Sequence, residues 1–309
     1  MNTTARLGLV IILFLIVVGG IGLYLTHTKS TAPATQSGKL QVVAAENFWG
    51  SIATQIGGSD VNVVSIVSDP NADPHEYESD TNDAREFATA NYVILNGVGY
   101  DSWASKLISA SSNSNQKVLT IGDLVGKKEG DNPHLWYNPA YVNTAAKQME
   151  TDMIALDPSH ASDYEKNYAT LQASLAGYQN RIQSIAKQYA GTKVAATEDI
   201  FAYLATAANL DLISPPEFIE AVAEGNDPPA QSVVTFQNQL KSGQVKVLVY
   251  NEQTVTPLTE SMKKLAADQG IPVVGITETI QPPDTSFQDW MNAELINLEN
   301  ALNAQTLGQ

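Results

Sequence analysis

The sequence predicts an α/β protein of two lobes joined by one long helix, and three observations predict it. From residue 40 onward, short Val- and Ile-rich runs alternate with helical patterns. Apolar runs with few internal polar residues are the mark of buried parallel strands, and strand–helix alternation stacks into α/β layers. One stretch, 158–190, breaks that rhythm, with no strand and a single glycine. Finally, 309 residues with 43% apolar and 16% charged side chains hold material for about two ordinary domains, which excludes wholesale disorder.

At the N-terminus, residues 7–25 read LGLVIILFLIVVGGIGLYL, nineteen residues without a charge, preceded by Arg6. As a helix this run is about 28 Å long, close to the thickness of a bilayer core. A cleaved signal has a shorter apolar centre of about 7–15 residues, so the length favours an uncleaved anchor over a signal peptide within residues 1–26. Ala32-Pro33-Ala34 has the form of a cleavage site but lies seven residues beyond Leu25. Residues 27–39 are rich in Thr, Ser, Ala and Pro and read as a flexible linker. Either reading puts the body outside the cytoplasm, at the cell surface or in the periplasm.

The first lobe, 40–157, is expected to carry strands at Leu40–Ala44, Val61–Val67, Tyr92–Leu95 and Val118–Ile121, with helices at Asp83–Ala90 and Trp103–Ser109. From Pro158 to Ala190, Tyr164, Tyr168, Leu171, Leu175, Tyr178, Ile182 and Ile185 recur at three- and four-residue spacing, and Ser159 stands where a cap belongs. That pattern predicts a connecting helix well beyond the usual length of about 11–12 residues. The second lobe, 191–309, is expected to carry strands at Lys193–Ala196, Val245–Tyr250 and Val273–Ile276, and a helix at Val233–Ser242. The picture is of two Rossmann-like α/β lobes joined by a rigid helical connector; one continuous domain with a long surface helix is the alternative.

Two phrases repeat in the first lobe. Asp73-Pro74-His75-Glu76-Tyr77 and Asn132-Pro133-His134-Leu135-Trp136 share the form Asp/Asn-Pro-His-x-aromatic. Proline fixes φ and biases the preceding residue toward extended geometry, so each imidazole leaves a stiff turn at a defined angle. That suits a metal ligand, which must be held before the metal arrives. Either histidine alone reads as a surface-loop residue; the recurrence, in a chain with four histidines, argues for a site. His160, at the start of the long helix, and His27, in the linker, read as solvent-exposed, and Trp49 as core.

The second lobe has its own pair. The apolar runs that begin at Lys193 and Pro272 both end in Thr-Glu, at Glu198 and Glu278. The carboxyl ends of strands are where open α/β sheets bind ligands. A carboxylate beside a buried strand is costly unless it is paired or bound to a cation. Taken singly, each glutamate reads equally well as reaching solvent or capping a helix. Together the four residues offer two imidazoles and two carboxylates, a set that suits Mn²⁺, Fe²⁺ or Zn²⁺ better than Ca²⁺, Mg²⁺ or Cu⁺.

The phrases DPHEYE (73–78), NPHLWYNP (132–139), TEDIFAYL (197–204), AEGNDPP (223–229), VLVYNEQ (247–253) and GITET with FQDWM (275–291) follow one another in an order that resembles the zinc/manganese-specific solute-binding proteins of bacterial ABC transporters. The likeness covers roughly 40–309. It implies two α/β lobes bridged by one long helix, with a metal cleft between them. It also implies His75, His134, Glu198 and Glu278 as ligands, Zn²⁺ or Mn²⁺ as the transported ion, a membrane permease as partner and no bond chemistry. The chain is expected to act as a monomer. Glu46, Glu224 and Asn251 are candidates for orienting the ligands. Four departures stand out: no lipid-bearing cysteine, Glu198 where zinc importers often have His, Glu278 where Asp is common, and no His-rich loop between the first two ligands.

Composition bounds the alternatives. Lys and Arg number 17 against 33 Asp and Glu, and residues 1–39 hold three of the basic residues and no acid, so the body carries a net charge of 14 − 33 = −19. Such a body repels phosphate backbones, which argues against nucleic acid, and it concentrates cations. The absence of cysteine excludes disulfides, thiolate zinc sites and cysteine nucleophiles. No G-x-S-x-G, H-E-x-x-H or G-x-G-x-x-G occurs, and GDLVGK (122–127) is one residue short of a phosphate-binding loop. Two further readings stay open: a metal-dependent hydrolase using the same His₂Glu₂ set, for which no separate base stands out, and a surface protein for cell adhesion.

Overall fold

A computed structural model of the chain describes residues 38–71, 74–111, 113 and 115–307. The apolar run at 7–25 and the linker up to residue 37 lie outside these. Among the described residues no helix is long and apolar enough to cross a membrane.

A compact unit begins at Lys39. Its first part runs β1 (Leu40–Glu46), α1 (Asn47–Gly57), β2 (Val61–Val67), α2 (Thr81–Thr89), β3 (Tyr92–Leu95), α3 (Ser102–Ala110), β4 (Lys117–Thr120), α4 (Ile121–Leu124) and α5 (Pro139–Leu156). Then comes α6 (Ala161–Gln188), and after it β5 (Lys193–Ala196), α7 (Ala202–Ala207), β6 (Asp211–Leu212), α8 (Pro216–Ala223), α9 (Ala230–Lys241), β7 (Val247–Asn251), α10 (Pro257–Asp268), β8 (Val273–Ile276) and α11 (Phe287–Leu307).

The strands form two parallel sheets, ordered β2-β1-β3-β4 and β6-β5-β7-β8, one per lobe. In each the chain changes direction across the sheet once, between β1 and β3 and between β5 and β7. Those are the switch points where crevices open at the carboxyl ends of strands. Local chemistry fixes the helix starts. Asp80 and Asp83 form a capping box for α2, and Thr256 and Thr259 do so for α10, where Pro257 follows the cap. Asn138 caps α5, accepting from Ala140 N at 3.0 Å.

Helix α6 is the long element that the periodicity predicts. Tyr164, Leu171, Leu175, Tyr178, Ile182 and Ile185 form its buried stripe. That stripe packs against α1 and α5 on one side and α11 on the other, so one apolar core runs from Leu40 through α6 to Leu302. Each fully buried aliphatic residue here contributes roughly 1.5–3 kcal/mol. The start of the helix differs from expectation. Ser159 does not cap it; a 3₁₀ turn over Pro158–His160 leads in, and Asp157 gathers Ser159 Oγ, His160 Nδ1 and Tyr164 Oη at 2.5, 2.6 and 3.0 Å. A carboxylate takes three hydrogen bonds better than a serine hydroxyl does.

The seven expected strands all form. Three shift by one or two residues, because Ile121 starts α4 and because β1 and β7 run on to Glu46 and Asn251. The two-residue β6, paired through Lys193↔Asp211 and Val194↔Leu212, was not anticipated; two residues carry no periodicity to read.

Candidate metal site

Each of the four nominated side chains follows a strand's carboxyl end. His75 lies in a 3₁₀ turn, Pro74–Glu76, after β2, and His134 opens the turn Leu135–Tyr137 after β4 and α4. Glu198 and Glu278 follow β5 and β8. The structure brings the four together. His75 Nε2 is 3.4 Å from His134 Nε2, 3.8 Å from Glu198 Oε1 and 3.2 Å from Glu278 Oε2. His134 Nε2 is 3.4 Å from Glu198 Oε1 and 3.9 Å from Glu278 Oε2. Four ligands at about 2.0–2.2 Å from one ion stand about 3.3–3.6 Å apart when tetrahedral. The observed spacings bracket that value.

His134, Glu198 and Glu278 are wholly buried, while the His75 side chain is 21% exposed. A cleft of about 400 Å³ opens at His75 and is lined also by Tyr100, Asn132, Asp199, Glu220 and Glu224. Glu198 Oε1 is buried yet accepts no hydrogen bond. An ionised oxygen in that state is costly unless a cation meets it, and this one faces both imidazoles.

A second set of residues fixes how the four point. Asn251 ends β7. Its Oδ1 accepts from Gln253 N at 3.0 Å, which turns its amide nitrogen toward the carboxylates. That nitrogen donates to Glu198 Oε2, and to Glu278 Oε1 at 2.8 Å. Thr254 Oγ1 donates to Glu278 Oε1 at 3.2 Å. The outer oxygens are thereby engaged, and the inner ones, Glu198 Oε1 and Glu278 Oε2, face the histidines. His134 Nδ1 lies 3.0 Å from Asn132 Oδ1 and 3.1 Å from Asp199 Oδ1. Both are acceptors, so Nδ1 carries a proton and Nε2 is the ring nitrogen that faces His75, Glu198 and Glu278.

Tyr100 reaches from the first lobe to donate to Glu278 Oε2 at 2.7 Å. Its placement relies on a strained loop. Val98 sits at φ 60, a region that β-branched residues avoid, between Gly97 at φ 77 and Gly99 at φ 87. Asp101 holds this loop, accepting from Asn96 N at 2.6 Å and Gly97 N at 2.9 Å. A side chain at Gly97 would also strike Thr120 Cγ2, at 2.5 Å.

The carboxyl groups beside the two imidazoles act on their protonation. Burial acts to lower His134, but the carboxyl groups of Asp199 and Glu198 beside it outweigh that and hold it up at about 10. Burial likewise opposes protonation of His75, and Glu278 beside it raises it nonetheless. Burial acts to raise Glu278, and His75 outweighs it, holding the carboxyl at about 2.

The other nominated residues fall in three different places. Asn251 touches both carboxylates. Glu46, at the end of β1, is buried and faces Asp101 instead; burial first and that neighbour second push it well above the usual carboxylate range. Glu224 is exposed at the rim of the cleft, where Asn226 Nδ2 donates to it at 3.1 Å. Trp49 is core, donating to Asn96 Oδ1 at 3.1 Å. Sequence reasoning did not single out Asn132, Asp199, Thr254 or Tyr100. The first two stand beside nominated ligands and were open to detection on that ground.

Three comparisons bear on what such a site belongs to. The sequence profile of the family described as zinc-uptake complex component A, periplasmic (ZnuA), matches residues 42–301. The metal ABC transporter substrate-binding lipoprotein ScbA of Streptococcus cristatus is 25% identical over 304 residues, 93% of this chain and 96% of its own. The manganese ABC transporter substrate-binding lipoprotein PsaA of Streptococcus pneumoniae is 25% identical over 283 residues, 87% of this chain and 88% of its own. The solved structure of the periplasmic zinc-binding protein TroA from Treponema pallidum shares the fold, with a TM-score of 0.73 at 15% identity, covering 87% of this chain and 99% of that one.

Proposed function

The chain belongs to the family of periplasmic component A proteins of zinc-uptake complexes, and from that premise we propose that it is the extracytoplasmic receptor of an ABC importer. It captures a divalent transition metal, Zn²⁺ or Mn²⁺, at His75, His134, Glu198 and Glu278 and hands the ion to a membrane permease. The metal is cargo, and the protein is not an enzyme; its relatives are named as substrate-binding lipoproteins. The observation that carries the reading is the convergence of two imidazole nitrogens and two carboxylate oxygens within 4.8 Å of one another, with Glu198 Oε1 buried and accepting no hydrogen bond. Two carboxylates neutralise a divalent ion, and the histidines favour a transition metal over Ca²⁺ or Mg²⁺.

In this reading residues 40–157 and 191–309 are the lobes and 158–190 the strut between them. Each lobe supplies half of the ligands, so binding fastens the cleft and release requires the halves to part. The hydrolase and adhesion readings have no observation of their own to favour them. The test is a chelator competition titration with Mn²⁺ and Zn²⁺. His75→Ala and Glu198→Ala should each abolish tight binding and leave the far-UV circular dichroism unchanged, since neither lies in the apolar core. Unaltered affinity in both variants would refute the site.

Residues 7–25 serve in this reading as the membrane tether. Relatives are lipoproteins, whereas this chain has no cysteine to carry a lipid and has an uncharged run of bilayer length instead. Mass spectrometry of the protein from native membranes should find that run present. A mature chain beginning near Thr35 would overturn the tether.

A further inference from the structure

Outside the lining of the cleft, a second polar cluster joins the two lobes. Tyr137 closes the turn that His134 opens. Its hydroxyl lies 2.8 Å from Thr277 O and 2.8 Å from Glu294 Oε2. Thr277 immediately precedes Glu278. Its backbone N–H donates to Glu294 Oε1 at 3.0 Å, and its hydroxyl accepts from Trp290 Nε1 at 3.0 Å. Tyr137, Thr277, Trp290 and Glu294 are all at least nine-tenths buried. One hydroxyl and one carboxyl, Tyr137 and Glu294, thus tie the His134 segment, the Glu278 segment and α11 together.

Counting hydrogens defines the state of this cluster. A phenol has one proton to donate. With Glu294 ionised, that proton goes either to the carboxylate or to Thr277 O, and the other acceptor is left unmet in a buried place, which costs about 1–3 kcal/mol. With Glu294 protonated on Oε2, every group is served: Oε2–H donates to the Tyr137 oxygen, Tyr137 donates to Thr277 O, and Oε1 accepts from Thr277 N. Burial acts in the same direction, pushing Glu294 up to about 8 against its hydrogen bonds from Thr277 and Tyr137.

We propose that Tyr137 and a neutral Glu294 form a latch between the lobes that sets the spacing of His134 and Glu278 and thereby the affinity and release rate of the metal. This rests on the metal-binding reading above. Neither residue touches the ion; both are positioning residues. The latch differs from the Asn251 contacts in kind. Asn251 joins two ligands of the same lobe, whereas Tyr137 and Glu294 join ligand-bearing segments of opposite lobes, so they bear on closure.

The experiment compares Tyr137→Phe, Glu294→Ala and Glu294→Gln in the full chain. Mn²⁺ and Zn²⁺ affinities come from chelator competition, release rates from stopped-flow mixing with excess chelator, and fold from circular dichroism. Glutamine can donate to Tyr137 and accept from Thr277 as the neutral acid does, so Glu294→Gln should bind within about threefold of the unaltered protein. Tyr137→Phe and Glu294→Ala should bind about 10–100-fold more weakly and release faster, the range for groups that orient ligands. Unchanged affinity and release in Tyr137→Phe would overturn the latch. So would a Glu294→Gln variant as weak as Glu294→Ala, an outcome that decides the matter even if Tyr137→Phe does not fold. His75→Ala in the same series separates the two ideas: if it binds metal as tightly as the unaltered protein, it is the metal-site reading that fails.

Discussion

Replacing Asn251 with alanine tests whether the orientation of the carboxylates, and not their mere presence, makes the site. The side chain is 1% exposed, and its amide nitrogen bonds the outer oxygens of both glutamates. Hydrogen bonds to charged groups are worth about 1.5–3 kcal/mol each. The full sum will not appear in binding, because the carboxylates keep other partners. Glu278 retains Tyr100 at 2.7 Å and Thr254 at 3.2 Å. Glu198 has less left, since its inner oxygen accepts no hydrogen bond and its outer one bonds to Asn251. The loss should therefore fall on Glu198, and the cost should match that of removing a ligand's orienting partner, about 10–100-fold in affinity or about 1.4–2.8 kcal/mol. Thr254→Val removes one donor from Glu278, which keeps Tyr100 and Asn251, so its effect should be smaller than that of Asn251→Ala. Chelator competition with Mn²⁺ and Zn²⁺ gives both affinities, and thermal unfolding without metal reports any damage to the fold. Equal effects of the two substitutions, or an unaltered affinity in Asn251→Ala, would refute the assignment of Asn251 as the orienting group.

Two further outcomes are expected. Glu198→His supplies a third imidazole and removes a negative charge, so the ratio of Zn²⁺ to Mn²⁺ affinity should rise; an unchanged or lower ratio in competition titrations would mean that Glu198 does not meet the metal or that lobe geometry sets the choice. Metal affinity should also rise with pH. His134 is held up at about 10 and His75 above its ordinary 6.5, so a metal arriving near neutral pH displaces at least one proton, and each gives about a tenfold gain per pH unit. Calorimetry in buffers of different ionisation enthalpy counts the protons released, and a count of zero at pH 7 would contradict the assignment. The same contacts bear on the metal-free fold with a definite sign. Both histidines are raised in the folded state, so their stabilisation is complete below 6.5, and the share from His134 disappears as pH rises through about 10.

The fold was legible where a pattern was long or strongly periodic. The Val- and Ile-rich runs marked the strands because the central ones, β1, β3, β5 and β7, are almost wholly buried, which makes them near-continuous apolar runs and not merely alternating ones. The stripe from Tyr164 to Ile185 gave α6 because both lobes bury the same face of it. What escaped was local competition between groups. Ser159 is a good cap by residue type, but Asp157 lies two positions earlier and takes the hydrogen bonds, a contest settled in space and not by propensity. β6 escaped because its two residues pair with β5 only once α7 has delivered them there.

The four clustered side chains and the residues that aim them were legible to different depths. Imidazoles in matching stiff turns and carboxylates at strand ends are a narrow choice of residue type, so His75, His134, Glu198 and Glu278 could be nominated together as a candidate set, though none of them alone. The residues that aim them are chosen for reach and hydrogen count, which many side chains satisfy, and their sequence separations are large. Tyr100 meets Glu278 across 178 positions, and Tyr137 meets Glu294 across 157. No spacing rule connects such pairs. The same separation makes them informative about mechanism. A contact between neighbours in sequence persists whether the lobes are open or closed, whereas Tyr100–Glu278 and Tyr137–Glu294 exist only when the two sheets face each other at this distance. On the proposed reading the four ligands are divided along the same line, two from each lobe, so the energy that closes the cleft and the energy that binds the ion would be coupled: loosening the cross-lobe contacts would weaken metal binding, and a partner that parts the lobes would release the ion.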